Sequence, residues 1–88
     1  MVIKVDTGLI FSRYTNNQRT VEVGGSTVGE CLNHLVEQFP KLTLFDEDGE
    51  LLVYIAIAVN GELTYPERLD KPVRDGDELS IIPTIDGG

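Results

Sequence analysis

The sequence predicts an α+β domain, a mixed sheet of four to five strands with one main helix packed on one face. Three observations carry that expectation. Residues 28–39 hold a single apolar stripe at helical spacing. Short, alternating β-branched segments lie on both sides of it, and Gly, Asn and Asp turn residues separate them. At 88 residues, with 41% hydrophobic and 25% charged side chains, the chain has the length for one domain and the composition of a globular one.

Val2-Ile3-Lys4-Val5-Asp6 alternates and reads as a strand, as does Arg19-Thr20-Val21-Glu22-Val23. The connection between them contains Asn16-Asn17, which offers turn chemistry, so the two strands form a hairpin with a long loop. Gly24-Gly25 ends it. Val28, Cys31, Leu32, Leu35, Val36 and Phe39 then recur at i, i+3, i+4, i+7, i+8 and i+11, one face of an amphipathic helix. Thr27 and Glu30 resemble a capping box, with Ser26 as the alternative N-cap, and Pro40 stops the helix after Phe39.

The stretch KLTLFDEDGE reads as a connection with a turn at Asp48-Gly49. In LLVYIAIAVNGEL, Val53, Ile55, Ile57 and Val59 share one strand face, with Tyr54, Ala56 and Ala58 on the other. Asn60-Gly61 turns the chain into a short return strand at residues 62–64. Asp75-Gly76-Asp77 tightens it before a last strand from Glu78 to Ile82, which Pro83 closes.

Fifteen acidic against seven basic residues leave a formal net charge of -8, which argues against a nucleic-acid phosphate backbone as partner and favours a basic protein. No run approaches the roughly 18 apolar residues of a membrane span, and the Met-Val-Ile-Lys start shows no cationic segment leading into a signal-peptide core, so no signal peptide is expected. A cytoplasmic protein is expected. Its one cysteine, Cys31, sits in the helical stripe and is expected to be a buried structural thiol. His34 lies at the edge of that stripe without a second ligand at useful spacing. The stretch DEDGE at 46–50 lacks the later ligands of a calcium loop, and Asp75, Asp77 and Glu78 read as turn formers, so no metal site is expected. Gly24-Gly25 form neither a dinucleotide fingerprint nor a phosphate loop.

GGSTVGECLNHL, IAVNGEL and VRDGDELSIIPTIDGG, in this order, resemble the ubiquitin-like β-grasp sulfur carriers of the MoaD/ThiS family. The likeness covers nearly the whole chain, and the last run, with its turn, apolar strand, proline and terminal Gly87-Gly88, is the most specific part. It implies a β-grasp domain at residues 1–83 and a flexible tail at residues 84–88. It also implies a protein cosubstrate rather than an enzyme. An adenylating enzyme using ATP and magnesium would activate the carboxylate of Gly88, sulfur would convert it to a thiocarboxylate, and a client synthase would accept the sulfur. The chain itself would bind no cofactor. Glycines suit that task, because without Cβ they enter narrow channels and permit close backbone approach. Asp86 departs from the small uncharged residue usual in molybdopterin-type carriers, which leaves the client open among molybdopterin, sulfur amino acid, thiazole and thiolated RNA synthesis.

Gly87, Asp86 and Ile85 are expected at the partner interface with Ile82, whose side chain alternates away from Leu79 and Ile81. Phe11 and Tyr14, in the first hairpin loop, are expected to widen that apolar patch. Two other functions use the same fold: a ubiquitin-like modifier joined through Gly88 to lysine amines, and a β-grasp interaction module whose tail does no chemistry.

Overall fold

The computed structural model describes residues 2–64 and 68–84. In chain order these form β1 (Ile3–Asp6), α1 (Gly8–Phe11) with a 3-10 turn at Ser12–Tyr14, β2 (Thr20–Val23), α2 (Val28–Gln38), β3 (Ile55–Val59), β4 (Glu62–Leu63), a 3-10 turn at Arg68–Asp70, and β5 (Glu78–Pro83). The sheet runs β2-β1-β5-β3-β4. The last strand in sequence is therefore the central one, parallel to β1 and antiparallel to β3.

Alternation decides which side chains enter the core. Ile3 and Val5 of β1, Val21 and Val23 of β2, Ile55, Ile57 and Val59 of β3, and Leu79 and Ile81 of β5 are all buried. α2 covers that face with Val28, Cys31, Leu32 and Leu35, while Val36 and Phe39 pack at the margin. Burial of each such side chain is worth about 2 kcal/mol, so the predicted stripe is what attaches the helix to the sheet. Its amino terminus is capped as expected: the Thr27 side chain accepts from the Glu30 N–H at 3.2 Å. The reciprocal half of the box lands one residue earlier, with Glu30 Oε1 accepting from both the N–H and the hydroxyl of Ser26 at 2.8 Å.

The structure corrects three local expectations. The first hairpin loop is not irregular: it holds α1 and a 3-10 turn. Thr7 and Thr15, both fully buried, each donate a hydroxyl to Gln18 O at 2.8 Å and so staple the two ends of the loop together. Asn16 and Asn17 supply left-handed turn residues with φ of 55° and 63°, the role foreseen for them. The connection after α2 is part of the core, since Leu42, Leu44 and Leu51 are buried and Phe45 pairs with Leu51. β3 begins only at Ile55, because Ile55 N–H bonds Leu52 O and turns the chain there; Val53, expected on one strand face with the now buried Ile55, Ile57 and Val59, is 94% exposed.

Among the described residues no helix is long and apolar enough to cross a membrane.

Candidate functional site

β5 leads to the chemistry the sequence proposes, and the fold holds it at both ends. At its start, the turn from Arg74 to Asp77 is closed by Asp77 N–H on Arg74 O and by Arg74 N–H on Asp77 Oδ2, both at 2.9 Å. Asp77 Oδ1 accepts from the Asn60 side chain at 3.0 Å, and Asn60 Oδ1 accepts from Glu78 N–H at 3.0 Å. The β3–β4 turn and the entry to β5 are thereby tied together. Asn60 has a φ of 51°, which an asparagine tolerates better than most residues. At the far end Thr84 N–H donates to Tyr54 O at 2.7 Å, so the ladder persists one residue past Pro83. Ile85, Asp86, Gly87 and Gly88, four of the predicted site residues, lie outside the described residues.

Of the others, Ile82 is 37% exposed while Leu79 and Ile81 are buried, as the alternation requires. It pairs with Ala56 on the sheet face away from α2. Leu63, exposed on the edge strand, pairs with Ala58 on the same face. Lys4, Asp6, Glu22 and Glu78 follow in register across β1, β2 and β5, so a small apolar patch is flanked by charge. That is the layout of a docking surface with an apolar centre and a polar rim.

Phe11 and Tyr14 do not join this patch. Phe11 is only 7% exposed and belongs to the core cluster, because α1 folds its ring inward; the expectation of an exposed Phe11 is corrected. Tyr14 is 42% exposed. Both rings line a separate groove of about 330 Å³ with Ile10, Leu42, Thr43, Tyr54, Pro83 and Lys41. The single patch read from the sequence is two surfaces, because Ile82 and Pro83 point to opposite faces of one strand. Ile10 and Tyr54, 54% and 43% exposed, were missed. Their signal was an apolar residue two positions after a loop glycine and an aromatic just before a strand, and neither pattern is specific.

The remaining polar residues do structural work. Asp46 Oδ1 accepts from the N–H groups of Asp48 and Glu50, so this carboxylate is occupied in forming its own turn. Asp75 Oδ1 accepts from Val2 N–H at 2.6 Å. His34, exposed, donates Nδ1–H to Gly24 O at 2.6 Å. Cys31 is fully buried, and desolvation followed by the charge of Glu30 pushes its thiol up, away from the reactive thiolate. No group of three or more potential metal ligands converges among the described residues.

Two carboxylates couple the fold to pH. Glu30 is held below its ordinary value of 4.5, first by the Ser26 N–H and then by the Ser26 hydroxyl. Asp77 is held below its ordinary value of 3.8, first by the Arg74 N–H and then by the Asn60 side chain. A carboxyl depressed in the folded state contributes stability that is complete above its unfolded value and is lost as pH falls through its folded one. The urea midpoint is therefore expected to decline as the pH falls below the ordinary carboxylate range. In a Glu30→Gln/Asp77→Asn variant the decline should be shallower, and an unchanged slope would remove these two groups as its source.

The profile of the ThiS family matches residues 11–88. Small archaeal modifier protein 1 of Haloferax volcanii is 40% identical over 75 residues, spanning 80% of this chain and 83% of that protein. Its crystal structure superposes with a TM-score of 0.87 at 31% identity over the full length of both chains. Sulfur carrier protein CysO of Mycobacterium tuberculosis is 28% identical, with both chains covered completely. The crystal structure of the BexX/CysO complex of Amycolatopsis orientalis contains a chain that superposes with a TM-score of 0.85 at 30% identity, covering 98% of this chain and 99% of that one. The fold is the ubiquitin-like β-grasp, and the protein belongs to the ThiS family of sulfur carriers. Members of this class are small protein cosubstrates rather than catalysts, and the chain is one of them rather than an enzyme.

Proposed function

We propose that residues 1–83 serve as a recognition handle and residues 84–88 as the working end of a sulfur carrier. The observation that supports this most directly is the path of β5. The strand held on both flanks by hydrogen bonds runs straight into the run Thr84-Ile85-Asp86-Gly87-Gly88, inside the segment matched by the family. A carboxylate is ionised at neutral pH and is a poor electrophile, so it requires activation. In this reading an oxygen of the Gly88 carboxylate attacks the α-phosphorus of ATP in a magnesium-dependent partner, releasing pyrophosphate. A sulfur nucleophile then displaces AMP to leave the thiocarboxylate, whose sulfur passes to a client synthase in cofactor or sulfur-metabolite synthesis. The partners supply ATP, metal and catalytic groups. This chain supplies position, since a carboxylate held in line with its electrophile reacts at a high effective concentration. The reactions take place in the cytoplasm.

The test is the intact mass of the protein after incubation with an activating enzyme, ATP and a sulfide source, beside a variant lacking Gly88. A gain equal to exchange of one oxygen for sulfur, located in the terminal peptide and absent from the variant, is expected. No gain with an enzyme active on another carrier would refute transfer through that enzyme. A second reading is favoured by the likeness to an archaeal modifier: the same Gly88 adenylate is taken by a lysine amine, making conjugates. Slower-migrating forms in lysate that disappear with Gly88 would mark that use. A β-grasp interaction module predicts instead that removing Gly87 and Gly88 changes nothing.

A further inference from the structure

The groove bounded by Ile10, Tyr14, Thr43, Tyr54 and Pro83 has a volume of about 330 Å³, and its one charged wall is Lys41. A second hollow of about 280 Å³ continues from it past Phe39 and Gln38, sharing Tyr14 and Lys41. The chain carries fifteen acidic residues, yet no carboxylate is among the residues lining either hollow. We infer that the groove docks an extended, acidic segment of a partner protein, with an apolar side chain of that segment in the groove and a carboxylate two positions away on Lys41. Three observations converge on this. The first is charge. The sheet face around Ile82 is bordered by Asp6, Glu22 and Glu78 against Lys4 alone, which disfavours an acidic partner there. The groove presents the opposite sign, so the two surfaces select partners of opposite charge.

The second observation is an open backbone. From Lys41 to Leu44 the chain alternates exposed and buried as a strand does, with Leu42 and Leu44 in the core. Among the described residues no hydrogen bond engages Thr43, which is exposed on the wall of the groove. A strand laid beside it would pair with its N–H and C=O, the mode in which main-chain bonds hold a peptide and side-chain pockets select it. The third is spacing. Lys41 and Thr43 are alternate residues on the exposed side of that stretch, so a neighbouring strand meets them with side chains two positions apart. Size agrees: a hollow near the lower end of ordinary ligand pockets admits a side chain with its backbone and is small for a folded partner. The docking site uses none of residues 84–88 and does not rest on the sulfur-carrier reading.

The experiment is solution NMR on the full, isotope-labelled chain. The probe is the peptide acetyl-Ser-Leu-Ser-Asp-Ser-Leu-Ser-amide, which offers the apolar and acidic spacing in both chain directions; its counterpart has Lys in place of Asp. Shifts are expected at the Lys41 and Thr43 amides and the Tyr14 and Tyr54 rings, saturating at about millimolar peptide, with the lysine counterpart about fivefold weaker. Lys41→Glu, a change at an exposed residue, should reverse that preference while the resonances of Ile3 and Ile57 stay in place. Equal responses to the two peptides, or none at about the millimolar range, overturn the inference. Shifts confined to Ala56 and Ile82 overturn it as well, and move the docking to the other sheet face. The same groove shifts on concentrating the chain without peptide also overturn it, and assign the groove to a second copy.

Discussion

Gly25→Ala is expected to destabilise the protein by about 3 kcal/mol, combining backbone strain with overpacking. Gly25 has a φ of 147°, a region that glycine occupies and residues with a Cβ avoid. A Cβ there would stand 2.9 Å from both the backbone N and the Sγ of Cys31. The first contact is with the backbone of a capped helix and cannot be relieved by a rotamer change. Either α2 moves off the sheet or the β2–α2 connection rearranges. For a domain of this size each kcal/mol lowers the melting temperature by roughly 4–8 °C, so the loss is readily measured by thermal or urea unfolding. Gly49→Ala is the control, because Gly49 has a φ of 79° but nothing within 4 Å of its added Cβ. It should cost only about 1 kcal/mol. Equal losses at the two positions would show that strain alone matters and that the approach of Gly25 to Cys31 does not.

Ile82→Glu is expected to weaken binding to the proposed activating enzyme at least about tenfold while leaving the fold native. Ile82 already reaches solvent and points away from the core, so a carboxylate there is hydrated in the free protein. In a complex that covers the patch the same charge loses its water against Ala56 and Leu63, and among the described residues its cross-strand partner is Ala56 rather than a basic side chain. Asn33→Glu, on the exposed side of α2, is the control, since that helix lies on the other face of the sheet and its change should leave binding unaltered. Titration calorimetry with circular dichroism on the same samples separates affinity from folding. Undiminished binding by a folded Ile82→Glu protein would remove this face as the docking surface.

Local periodicity was enough wherever one neighbour decides the outcome. The stripe from Val28 to Phe39 admits one burial face at helical spacing, and the Thr27 cap marks where it starts. The alternation of β1, β2 and β5 similarly told buried Leu79 and Ile81 from exposed Ile82. It failed at Val53, which keeps perfect alternation with Ile55 and yet is exposed, because a hydrogen bond from Ile55 to Leu52 turns the chain first. It failed again at Leu42, Leu44 and Leu51, whose burial depends on α2 and the sheet leaving a space for an irregular segment to fill.

The candidate site divides in the same way. The residues of the Gly-Gly ending, and the apolar strand that carries it, are written in the chain as a linear run, and a linear run can be recognised without knowing what surrounds it. Surface patches are different, because they are assembled from segments far apart in sequence. Phe11, an apolar residue of the first hairpin loop, was expected to widen the patch around Ile82, but α1 turns Phe11 into the core and the strand pleat sends Ile82 to the opposite side from the groove. The sequence by itself determined the elements and the main helix, which depend on contacts between near neighbours, and it holds the Gly-Gly run on which the proposed chemistry rests. Only the tertiary structure decided that the last strand sits at the centre of the sheet and that two surfaces flank its exit, since both depend on strand order, a property of contacts between residues distant in the chain.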